Sequence, residues 1–71
     1  MLSFANFSSK IILDLNNTFP KARLEGKYVV VESEPNSVSI PVSSIYREYQ
    51  EVKDYRKTLK LYVDIINDIL N

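Results

Sequence analysis

The chain has 71 residues, nine basic and nine acidic side chains, no net charge, and neither Cys nor His. That length holds a single domain over residues 1–71, and the missing residue types exclude disulfides, soft-ligand zinc or iron sites, and Ser–His or Cys–His nucleophilic catalysis. The balanced charge argues against a protein that coats nucleic acid non-specifically.

The first residues, MLSFANFSSKIILDL, lack a basic segment followed by a long apolar core, and no stretch approaches a membrane span. An unprocessed cytoplasmic protein with no membrane association is the expectation. Ser3 can cap a first helix that ends near residue 18. Phe4, Phe7, Ile11 and Leu15 share one narrow arc of it, and Ile12 lies at the edge. Lys10, Asp14 and Asn17 lie away from that arc, and Leu13 falls on the opposite side. Exposure is the ordinary outcome for such a Leu, and contact with a second layer or subunit is the alternative. Asn16, Asn17 and Thr18 weaken the helix, and Pro20 disfavours helical backbone at Phe19.

Residues 22 to 42 read as sheet. Lys27 to Ser33 carries the β-branched block Val29, Val30 and Val31, which suits a strand. Glu34, Pro35 and Asn36 make a turn, after which Val38, Ile40 and Val42 alternate with Ser37, Ser39 and Pro41. Pro41 places the end of this strand at an edge or at the sheet exit. Upstream, Ala22 to Leu24 can form a short extra strand that turns through Glu25 and Gly26. Tyr28 and Val30 face one way and Val29 and Val31 the other. One set meets the helices, and the other needs a cover or remains an apolar patch.

Ser43 or Ser44 is positioned to cap the next helix, with Ile45, Tyr49 and Val52 on its apolar side. No Gly or Pro follows position 42, so a single helix over 44–70, about 40 Å long at 1.5 Å per residue, and a break near Asp54 both remain open. Val52, Tyr55, Leu59, Tyr62, Ile66 and Ile69 recur at steps of three and four, forming a seam. Leu61, Val63, Ile65 and Leu70 widen the apolar arc beyond half the helical circumference. A small sheet covers about half, so the surplus points to a homodimer or another protein partner.

The polar residues are less specific. Lys53, Arg56, Lys57 and Lys60 gather on one helical face. A solvated surface is the plain reading, and an acidic protein surface or nucleic-acid phosphates are the functional ones. Asp64 and Asp68 continue the face with opposite charge, which shortens the cationic run. Asp64–Asp68 and Glu48–Glu51 are the available carboxylate pairs, and a polar helix face offers no shelter to raise a pKa. Gly26 is the only glycine, so no glycine-rich phosphate loop exists. Tyr46 and Leu61 lie beside the packed faces and are the expected contact residues.

The resulting expectation is an α+β domain. It has an N-terminal helix, a two- or three-stranded antiparallel meander, and one long or two consecutive C-terminal helices packed on the sheet. The expected role is a small non-enzymatic protein-binding module of adaptor, inhibitor or chaperone-like type, working as a homodimer without metal or cofactor. Nucleic-acid binding through the cationic face is the alternative. Expected partner-binding residues are Lys53, Arg56, Lys57, Lys60, Tyr46 and Leu61.

Overall fold

A computed structural model describes all 71 residues. Helix α1 spans Phe4–Thr18, and strands β1, β2 and β3 span Arg23–Glu25, Tyr28–Ser33 and Asn36–Pro41. Helices α2 and α3 span Val42–Val52 and Tyr55–Leu70. The strands form an antiparallel sheet in the order β1-β2-β3, with β3 at an edge as Pro41 implied. Val29 pairs with Leu24 and Ile40, and Val30 with Arg23 and Ser39.

One layer of helices covers one face of this sheet. Phe7, Ile11 and Leu15 of α1, Val29 and Val31 of β2, Val42, Ile45 and Tyr49 of α2, and Ile66 of α3 form one buried cluster with Ala22. Ser3 caps α1 as expected, its side chain accepting from the Asn6 N–H. Asn16 fastens the end of α1 to the segment leading into β1, its Nδ2 donating to the Ala22 and Phe19 carbonyls at 2.5 and 3.3 Å. Leu13 is exposed.

On the second face of β2, Arg23 and its carboxylate partners lie beside Val30. Val30 is only 8% exposed although it points away from the helices. Its cross-strand partner Arg23 reaches Glu32 at 2.8 Å and Glu25 at 3.3 Å, lying over the strand between two carboxylates. The hydrogen bond to Glu32, then that to Glu25, raises the Arg23 pKa, and Arg23 in turn lowers that of Glu32. Tyr28, beyond this clamp, is exposed.

Two sequence expectations need correction. Neither Ser43 nor Ser44 caps α2; the helix begins at Val42, with Pro41 as an N-cap that makes no side-chain bond. The Val42 N–H donates to the Lys27 carbonyl at 2.9 Å, so strand pairing runs into the first helical residue. Buried Val42 thus anchors the turn earlier than a serine cap would. The second correction concerns the seam, because Val52 and Ile69 are exposed. The helical region breaks at Lys53, which is left-handed at φ 60°. Asp54 then caps α3 by accepting from the Lys57 N–H at 3.1 Å. Val52 therefore belongs to a different helix axis from Tyr55 to Ile66. Ile69 lies in the last turn of α3, with its side chain open to solvent.

Candidate functional site

The α3 helix presents three faces. Its inner face carries Ile66 and Thr58, both fully buried, with Tyr55, Leu59, Tyr62 and Val63 half-buried around them. Thr58 satisfies its hydroxyl by donating to the Asp54 carbonyl at 2.9 Å. Its outer flank holds Leu61, Ile65 and Ile69 at steps of four, which stack along one ridge of a helix. Leu61 is 40% exposed and Ile69 51%, with Ile65 half-buried between them. The third, polar face carries Lys57, Lys60, Asp64 and Asp68, all exposed.

The expected contact residues do not share one surface. Leu61 lies on the exposed ridge. Tyr46 is half-buried and engaged within the chain, packing edge-on against Phe4 and Phe7 and donating its hydroxyl to the Leu2 carbonyl at 2.9 Å. The Tyr49 hydroxyl accepts from the Leu2 N–H at 2.9 Å, so the two tyrosines hold the start of the chain against α2. Of the cations, Lys60 pairs with Asp64 at 3.2 Å. Lys53, Arg56 and Lys57 make no ion pair and surround the corner between α2 and α3.

That corner opens into a polar cleft between α1 and α3 of about 620 Å³, lined by Lys10, Asp14, Thr18, Tyr55, Arg56 and Leu59 among others. The Tyr55 hydroxyl donates to Asp14 at 2.5 Å, and the Lys10 ammonium lies 4.7 Å from the Tyr55 ring centroid and 3.4 Å from Asp14. Burial, then the hydrogen bond and charge of Asp14, pushes the Tyr55 phenol well above its usual range. Burial also raises that of Tyr62, with a further contribution from Glu48. A phenol so held stays protonated and is a poor proton acceptor. The trio is a tie between two helices, drawn from residues that lie away from the main apolar arc of α1.

A second, more apolar groove of about 570 Å³ lies between the start of α1, the β1–β2 turn and the start of α2. Phe4, Leu24 and Val42 line it with Lys27 and two serines, and both Phe4 and Leu24 are partly exposed. No group of three or more His, Cys, Asp or Glu side chains is placed to hold a metal ion. No helix is long and apolar enough to cross a membrane.

One polar surface is invisible to residue-type reasoning. The Val42 N–H bond to Lys27 lies one residue outside the Tyr28–Pro41 pair, which marks that pair as one without mutual hydrogen bonds. Alternation then makes Val29–Ile40, Val31–Val38 and Ser33–Asn36 the bonded pairs. The backbone N–H and C=O groups of Ser37 and Ser39 are directed away from β2. β3 has no neighbour on that side, and both residues are exposed.

No protein family, no curated protein and no solved structure matches this chain.

Proposed function

We propose that this chain is a small protein-binding module, of adaptor, inhibitor or chaperone-like type, that works as a homodimer. The observation that carries the reading is the Leu61–Ile65–Ile69 ridge, an apolar stripe along α3 that the domain leaves partly uncovered. Scattered surface leucines are common, but a continuous row on one helix is the pattern of a helix that packs on both sides. At ~25 cal/mol per Å² of apolar area removed from water, even part of such a row supplies several kcal/mol before the costs of association. The role is binding and not catalysis, in keeping with a chain that has no His or Cys and whose most perturbed group is a tyrosine locked against Asp14.

Nucleic-acid binding through Lys53, Arg56, Lys57 and Lys60 is the less supported reading. Lys60 is engaged by Asp64, and exposed Asp68 lies further along the same helix, where it would repel a phosphate backbone.

Leu61→Lys tests the dimer. The side chain is partly exposed, so the variant should keep the parent's circular dichroism while shifting from the dimer to the monomer mass in sedimentation. A parent that sediments as a monomer at all accessible concentrations sinks the homodimer. The ridge must then serve a different chain.

A further inference from the structure

We infer that two copies of this chain join edge to edge through β3, making one six-stranded antiparallel sheet whose two-fold axis passes midway between Val38 and the partner's Val38. The inference rests on the homodimer reading above and adds where and in which register the two copies meet.

Monomeric proteins protect an exposed edge strand with charge, proline or a bulge, because unpaired N–H and C=O groups invite another strand. From Asn36 to Ile40, β3 carries no charged residue, and its only proline, Pro41, is the last residue before α2. Its pairing with β2 is continuous over six residues, without a bulge. β1 is a poorer template. It has three residues, two of them charged, and the alternation in its two-residue hairpin leaves only Leu24 with backbone groups directed outward.

The β3 edge is also self-complementary. The free groups on β3 belong to Ser37 and Ser39, two positions symmetric about Val38. An antiparallel copy in this register sets Ser37 opposite the partner's Ser39, and the reverse. Each pair then exchanges two hydrogen bonds, and every free backbone group of these residues is used. The side chains at the junction are small hydroxyls on the open face of the sheet. Two copies can approach there without bringing like charges together.

The charge pattern of α3 favours the same arrangement. The Asn36 side-chain amide at the start of β3 donates to the Leu70 carbonyl at 3.2 Å, fixing the end of α3 over this strand. An axis normal to the sheet therefore places both α3 helices on the same face, running antiparallel. Basic residues Arg56, Lys57 and Lys60 occupy the first half of α3 and Asp64 and Asp68 the second. Two antiparallel copies set the basic half of one against the acidic half of the other. Lys57 and Asp68, which flank the apolar ridge and make no ion pair within the chain, become partners across the axis. A parallel arrangement would oppose like charges.

The test uses the absence of cysteine. Ser37→Cys and Ser39→Cys variants are prepared separately and oxidised alone and as an equal mixture. Opposite residues of a bonded antiparallel pair lie ~5.5 Å apart at Cα, within disulfide reach. Ser37 and its own symmetry mate lie more than ~7 Å apart, outside it. The expected result is a covalent dimer in the mixture and at least tenfold less in either variant alone. Equal cross-linking in all three samples overturns the register. A parent that sediments as a dimer while the mixture fails to cross-link overturns edge pairing and leaves the homodimer reading standing. A monomeric parent overturns both.

Discussion

Lys53 is the only residue other than Gly26 with a positive φ, and it ends α2 in the left-handed conformation that glycine adopts without strain. The chain accepts that conformation because the next residue begins a second helix well. The Asp54 carboxylate receives the Lys57 N–H, and its carbonyl receives both the Thr58 N–H and the Thr58 hydroxyl. The two residues make opposite contributions and should respond oppositely. Lys53→Gly removes the left-handed strain and should stabilise the fold by about 0.5–1 kcal/mol, net of the extra unfolded-state entropy. Asp54→Ala removes the cap and should cost about 1 kcal/mol. Urea unfolding at one fixed protein concentration reads both, since self-association of the proposed kind would make stability depend on that concentration. Destabilisation by Lys53→Gly would mean that the lysine side chain, and not its backbone, holds the corner.

Between elements, the Tyr55–Asp14 bond joins α1 to α3 and carries a pH dependence. The folded protein holds the Tyr55 phenol protonated, because burial and the adjacent carboxylate raise its pKa. The unfolded chain releases that proton from about pH 10 upward. The stabilisation from this tie is therefore complete below about pH 10 and declines as pH rises above it. Tyr55→Phe should cost about 1 kcal/mol at neutral pH through the lost hydrogen bond. The gap between parent and variant in chemical unfolding should then stay constant up to about pH 10 and narrow above it. A gap that stays constant above that pH as well would show that the phenol contributes packing alone.

The same elements show what the sequence could disclose. The order of helices and strands was legible because α1 carries its arc of Phe7, Ile11 and Leu15, and β2 its β-branched block. The short β1 strand and the end of α1 were legible from Gly26 and Pro20. The Tyr55–Asp14–Lys10 tie was not, since Lys10 and Asp14 look like residues of a solvated face until α3 is laid beside them. The serine cap on α2 failed because the Val42–Lys27 bond is set by strand register, a long-range property. The free groups of Ser37 and Ser39 share that origin. Composition marks β3 as a half-buried strand, but only pairing with β2 decides which residues direct their backbone outward. The exposure of Leu61, by contrast, was readable from its place on the edge of the apolar arc.

At the scale of the whole molecule, the charge pattern of α3 is the feature that neutral composition conceals. Nine cations and nine anions cancel in the sum, but along this helix they are sorted into a basic first half and an acidic second half. Sorting gives a monomer little, because Lys60–Asp64 is the only ion pair formed within α3, and an exposed pair contributes about 0.2–1 kcal/mol. In an antiparallel dimer it acts twice, once at each end of the shared axis, and it opposes the parallel alternative. Lys57→Asp should therefore weaken dimerisation several-fold by placing like charges across the interface at both ends. Asp68→Lys should do the same through the opposite sign. The double variant Lys57→Asp/Asp68→Lys restores opposite charges across the axis and should recover most of the parent's affinity. Sedimentation equilibrium of the four proteins forms a double-mutant cycle that isolates the pair. The deficit should shrink as salt is raised, since these rim charges are exposed. Additive losses, with the double variant weaker than either single one, would place Lys57 and Asp68 on separate surfaces and rule out the antiparallel arrangement of α3.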